Sequence, residues 1–92
     1  MIKSFFHKGL EKFFCDGSKK GIKAKHAKRI VLILDYLDAA EVIEDMNFPG
    51  LDLHPLKGKK RGYWAVKVSG NWRIVFMFDD RNAYDVDYLD YH

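Results

Sequence analysis

The sequence predicts an α+β fold in which two N-terminal helices lie on one face of an antiparallel β-sheet. Two observations carry that expectation. Apolar residues recur every three or four positions between Lys25 and Ala40, and three consecutive runs after residue 62 alternate apolar and polar residues with period two. The turn-forming residues between those runs are of hairpin length, which makes the three strands a meander.

In chain order, Ile2 to Phe6 is apolar enough for a strand, and His7 to Phe14 reads as a short helix. Gly17 and Gly21 bracket a loop. From Lys25 to Ala40, Ala27, Ile30, Leu34 and Leu37 form one stripe, with Lys28, Arg29, Asp35 and Asp38 between them, as in a helix with one buried face. Asn47, Pro49 and Gly50 end that pattern. Leu51 to His54 is a candidate brief strand, and Pro55 and Gly58 make the next stretch loop-like. Tyr63 to Val68, Asn71 to Phe78 and Ala83 to Leu89 are the three alternating runs, joined at Ser69-Gly70-Asn71 and at Asp79-Asp80-Arg81-Asn82. In the middle run Trp72, Ile74, Phe76 and Phe78 share one side, which should pack under the helices. Arg73, Val75 and Met77 share the other, which is left open for a ligand. Residues 1–92 are expected to form a single domain, since a chain of this length supports one core.

Composition narrows the functional classes. One cysteine, Cys15, leaves no partner for an internal disulfide or a CxxC motif. Lys3, His7 and Lys8 interrupt the apolar stretches at the N-terminus, so neither a signal-peptide core nor a membrane span is expected; a reducing, cytoplasmic compartment fits both points. The net charge of +3 is unevenly placed. Lys57, Lys59, Lys60, Arg61, Lys67 and Arg73 fall within residues 57–73 with no acid among them, whereas residues 35–52 carry six acids and no base. The acidic stretch is expected to face away from a phosphate-rich ligand. A basic surface of this kind suits such a ligand, although solvated lysines would give the same counts. No P-loop, GxGxxG, GxSxG or closely spaced metal-ligand motif occurs, so neither a metal nor a small-molecule cofactor is expected.

The histidines are not equivalent. His7 and His26 stand in helical, lysine-rich stretches and read as solvated. His54 lies in Leu53-His54-Pro55-Leu56-Lys57-Gly58, which presents an imidazole and an ammonium three residues apart, and His92 follows Asp90 and Tyr91 after the last strand. Two imidazoles with ordinary pKa values of about 6.5 can divide the base and acid roles of RNA cleavage, in which the substrate's own 2′-hydroxyl is the nucleophile. Fixed cations such as Arg73 and Lys57 would stabilise charge building on the phosphate. Aromatic residues make up 15% of the chain; Trp64, Trp72 and Phe76 read as core, whereas Tyr91 has little hydrophobic layer to join.

These segments, Leu53-His54-Pro55-Leu56-Lys57-Gly58, Gly62-Tyr63-Trp64 with Asn71-Trp72-Arg73-Ile74, and the closing Asp90-Tyr91-His92, together with the opening Met1-Ile2-Lys3-Ser4-Phe5, resemble the HigB toxins. HigB is a branch of the RelE and ParE toxin superfamily, and the resemblance runs over essentially the whole chain. It implies a RelE-like fold with a twisted, mainly antiparallel sheet, and an activity that cuts mRNA in the ribosomal A site. It also implies catalytic weight on His54, Asp90, Tyr91 and His92, with Lys57 and Arg73 as supporting cations; the charge distribution adds Lys59, Lys60 and Arg61 to the expected phosphate-binding surface. The base is expected to be His54 or His92, with Asp90 orienting an imidazole and Tyr91 positioning the scissile nucleotide. A HigA-type helix-turn-helix antitoxin is the implied partner, expected to cover the helical side. For such a site to form, the tail of the chain must lie beside the His54 loop. A ParE-like inhibitor of DNA gyrase and a plain RNA-binding module are the alternatives.

Overall fold

The computed structural model describes residues 1–91, and no helix in it is long and apolar enough to cross a membrane. Its elements are α1 (Lys8–Asp16), α2 (Ala27–Ala39), β1 (His54–Pro55), β2 (Tyr63–Ser69), β3 (Trp72–Asp79) and β4 (Asn82–Asp90), with short 3₁₀ turns at Ala24–His26, Ile43–Met46 and Gly58–Lys60. The sheet order is β1-β2-β3-β4, with every neighbour antiparallel.

The expected N-terminal strand is reduced to two parallel bridges, Ile2 with Ala83 and Phe5 with Val86. They place the first residues along the outer edge of β4, where Lys3 N–H donates to Ala83 O at 2.8 Å and Phe6 N–H to Val86 O at 2.9 Å. Helix α1 begins where the His7 Nδ1 accepts the Leu10 N–H at 2.9 Å, a side-chain cap on an otherwise orphan donor, and ends at Gly17 with φ 80°. Gly9 and the loop before α2 touch: a Cβ on Gly21 would stand 2.4 Å from the Gly9 Cα, so only glycine permits this approach. That contact holds the segment carrying His26 against α1.

Helix α2 buries Ala27, Ile30, Ile33, Leu34 and Leu37 against Val66, Val68, Ile74, Phe76, Ala83, Val86 and Tyr88 of the sheet. Phe76, Ile30, Ile33 and Leu37 are fully buried. The strand candidate at Leu51–His54 shifts to His54–Pro55, and Pro55 is tolerated because β1 is an edge strand. Arg29 ties this region down, donating through Nη2 to Gly50 O at 2.5 Å and Lys67 O at 3.2 Å. The β3–β4 hairpin turns through Asp80 and Arg81, both left-handed (φ 47° and 69°), as a two-residue hairpin turn requires. Within β4 the register slips opposite Phe76, where Asp85 adopts φ 54° as a β-bulge.

Candidate active site

Register assigns the side chains of the sheet to its two faces. His54 pairs with Ala65, Ala65 with Val75, and Val75 with Asp87, so these four form one row on the face without helices. The next row is Lys67, Arg73 and Leu89, and the row on the other side is Tyr63, Met77 and Tyr84. Leu56, Ala65 and Val75 are buried there, with Tyr63 and Leu89 packed on them, and make a small apolar floor. Arg73 stands on this open face, as its alternation predicts. Lys67, already counted in the basic stretch, shares the face with Asp87, a functional candidate that the sequence reading misses; the two-residue alternation of β4 beyond its bulge is the signal that places it.

His54 is half-exposed, and its Nδ1 lies 2.9 Å from the Asp52 carbonyl oxygen. A carbonyl only accepts, so Nδ1 carries a proton, which leaves Nε2 as the ring nitrogen available to a ligand. Asp52 itself sits at φ 52°, a left-handed residue that turns its carbonyl toward the ring. The acidic stretch therefore reaches the site at Asp52, contrary to the expectation that all of it faces away. Arg73 is half-buried and uses Nη1 on two carbonyls of the adjacent hairpin, Gly70 O at 2.6 Å and Trp72 O at 3.1 Å. The other edge of its guanidinium keeps its donors. Lys57, Lys59, Lys60 and Arg61 are exposed along the loop after β1, and the Lys60 ammonium sits 5.0 Å over the Tyr63 ring. Tyr63 O–H donates to Asp85 Oδ2 at 3.3 Å; burial first and Asp85 second push its pKa above the ordinary tyrosine value, so it stays protonated.

The C-terminal triplet divides. Asp90 pairs with Trp72 and so lies on the helical side of the sheet, whereas alternation past Leu89 brings Tyr91, exposed, toward the open side; its N–H donates to Asn71 O at 2.8 Å. His92 lies outside the described residues. Strand β1 is separated from β4 by three interstrand steps, about 14 Å at the usual spacing. The described candidates are thus spread across the sheet, with Asp90 on its helical side, rather than gathered at one point.

His26 corrects the sequence reading. It is 3% exposed, not solvated, with Nδ1 2.6 Å from the Tyr88 hydroxyl and its ring edge-on to Trp72 and Tyr88. Burial, then the Lys25 and Lys23 charges, lower its pKa. The signal was present: position 26 continues the stripe of Ile30, Ile33 and Leu37. His7 is a helix cap rather than a solvated side chain.

An open groove of about 430 Å³ lies elsewhere, between Glu41–Glu44 and Phe78–Arg81. Four acids against Arg81 make it repel phosphate, whereas the open face carries Lys67 and Arg73.

Residues 3–92 match the HigB-like toxins, described as RelE-like toxins of type II toxin-antitoxin systems. The chain is 46% identical over 92 residues to an Endoribonuclease HigB of Proteus vulgaris, covering all of both proteins. It is 30% identical over 94 residues to Toxin HigB-1 of Vibrio cholerae, covering 100% of this chain and 98% of that one. Among solved structures, the YoeB-YefM complex from Staphylococcus aureus aligns with TM-score 0.59 at 16% identity, over 97% of this chain and 98% of that one. YafQ from E. coli aligns with TM-score 0.56 at 14% identity, over 96% and 91%. These two bear on the fold alone, and they bear out the RelE-like α+β expectation. From its sequence match over nearly every residue, the chain belongs to the HigB-like family of RelE-like toxins of type II toxin-antitoxin systems.

Proposed function

We propose that this protein is an endoribonuclease that inhibits translation by cutting mRNA in the ribosomal A site, through acid-base chemistry without a metal. The observation that carries the reading is His54, whose Nδ1–H is anchored on Asp52 O and whose Nε2 faces the same side of the sheet as Lys67 and Arg73. The name of the Proteus relative supports the activity.

In the proposed reaction a base, His54 or His92, takes the proton from a ribose 2′-hydroxyl. That oxygen attacks the adjacent phosphorus, the P–O5′ bond breaks, and an acid protonates the departing 5′-oxygen, leaving a 2′,3′-cyclic phosphate and a 5′-hydroxyl. Arg73 and Lys57 stabilise the extra charge on the phosphate, and Lys59, Lys60 and Arg61 hold the flanking backbone. Tyr63 and Leu89, packed on the buried Leu56, Ala65 and Val75, together with the exposed Tyr91, suit an unstacked base. Asp90, on the Trp72 side, orients an imidazole from behind the strand rather than touching RNA.

The partner is a HigA-like helix-turn-helix antitoxin seated on the helical side, where α2 leaves Val31, Leu32 and Tyr36 each 45% exposed. The setting is the cytoplasm. The test is cleavage of a defined mRNA on programmed ribosomes with free RNA alongside. Cuts within the A-site codon that vanish in His92→Ala support the reading; full activity in that variant removes the C-terminal assignment. Broken DNA with intact mRNA after induction would point to gyrase instead.

A further inference from the structure

Beyond Val86 the first residues of the chain no longer pair with β4: their last backbone bonds to it are Phe6 N–H and His7 N–H, both to Val86 O. Among the described residues, the backbone ladder of β4 from Tyr88 onward runs to β3. This is the stretch that leads into Asp90 and Tyr91, and a strand end frays readily. Side chains supply a further hold. Tyr88 is 4% exposed and its ring tilts on Trp72 at 4.6 Å, while the His7 and His26 rings meet it edge-on at 5.5 and 6.0 Å. Its hydroxyl accepts the Lys23 N–H at 3.4 Å and lies 2.6 Å from His26 Nδ1. At 2.6 Å the hydroxyl–imidazole contact is a full hydrogen bond in a buried site, and burial with the nearby lysine charges favours the uncharged ring. The Lys23 ammonium stands 5.5 Å over Trp72, and Trp72 is the register partner of Asp90. One tyrosine therefore joins the cap of α1, the turn before α2 and strand β3 to the root of the C-terminal segment.

We propose that the His26–Tyr88 hydrogen bond is a positioning device that fixes the Asp90–Tyr91 segment against β3, which rests on the reading of that segment as part of the RNA-cleaving site. Neither side chain touches substrate. A satisfied polar contact in a packed interior selects one arrangement of the elements that share it. Here the elements are the helical layer and the strand end.

The test uses Tyr88→Phe in the full chain, which keeps the ring and removes the hydroxyl. Two readouts are needed. Amide hydrogen exchange at Leu89 and Tyr91 should speed up at least tenfold relative to the Ile74 and Phe76 amides. Single-turnover cleavage per folded molecule should fall about tenfold with KM within twofold, short of the ~10²-fold that a full 1 Å misplacement costs. His26→Gln, whose amide can still meet the hydroxyl, should keep both values near wild type, and His26→Leu should reproduce Tyr88→Phe without adding to it in the double variant. Wild-type exchange at Leu89 and Tyr91 in both Tyr88→Phe and His26→Leu overturns the proposal. So does a cleavage loss fully explained by a smaller folded fraction. If Tyr88→Phe does not fold, the His26→Gln and His26→Leu pair decides by the same readouts. Faster exchange with unchanged cleavage in a protein that also tolerates His92→Ala would instead sink the site assignment, since the segment would then be loosened without consequence.

Discussion

Replacing His54 by asparagine separates its two functions, because the Asn amide N–H₂ can still reach the Asp52 carbonyl that Nδ1 now meets at 2.9 Å, while no titrating nitrogen remains in place of Nε2. The structural cost should be small: the side chain is half-exposed and its hold on the loop is that one hydrogen bond, so the loss of stability is expected within about 1 kcal/mol. The chemical cost should be large. A positioned acid or base contributes about 10²- to 10⁴-fold, or roughly 2.7 to 5.5 kcal/mol at 1.36 kcal/mol per decade. Single-turnover cleavage of a defined mRNA on programmed ribosomes, beside urea denaturation of the same preparation, measures both. A His54→Asn protein that cleaves within threefold of wild type would refute the assignment of proton transfer to Nε2. A protein that loses more than about 3 kcal/mol of stability would instead show that the loop depends on the whole ring.

Other parts of the fold carry outcomes of their own. Arg73→Ala should slow cleavage by about 10²- to 10³-fold while weakening RNA binding much less, a division that titration at single turnover can contradict. Removing Lys57, Lys59, Lys60 and Arg61 together should flatten the salt dependence of RNA affinity, lowering the log–log slope by up to about 3; an unchanged slope would take the loop off the RNA. Phe76→Ala, at a fully buried position, should cost about 3–5 kcal/mol by denaturant unfolding. His26 has a folded-state pKa below its unfolded value of about 6.5, so the unfolded chain binds the proton more readily. Stability from this group is complete above that pH and is lost as pH falls below it. His26→Gln should flatten the acid limb of a melting-temperature profile, and an identical limb would assign the acid loss to other groups.

Much of this architecture is legible in the sequence, because the periodicity that marks an element also fixes which side chains it buries. The stripe through Ala27, Ile30, Leu34 and Leu37 locates α2, and alternation in β3 puts Arg73 on the open face. What escapes depends on contacts distant in sequence. Nothing in Ile2 to Phe6 tells that it will pair with β4 in parallel, a junction with residues about eighty positions away. The lysine neighbours of His26 mislead, although its own position lies on the buried stripe; the Tyr88 hydroxyl that stabilises it there comes from the far end of the chain. The resemblance supplies His54 and the closing triplet, and only the register shows that Asp90 and Tyr91 part to opposite sides of the sheet.

The extra residue in β4 governs more than local geometry. Ala83 faces the helices, and unbroken alternation from it would carry Asp85, Asp87 and Leu89 inward too. In the fold Val86 and Tyr88 are the inward residues, with Asp87 and Leu89 outward. Asp85 absorbs the offset at a left-handed φ and is moored by its N–H on Ser4 Oγ at 2.9 Å. The two halves of the strand are out of phase in the chain yet in phase in space. A one-residue deletion at Asp85 should simply straighten the ribbon, whereas the same deletion at Asp87 would need the ribbon to pucker anew or else swap Tyr88 for its neighbour under the helices. Length changes a few ångströms apart would thus leave the open face of the sheet intact in one case and turn it inside out in the other.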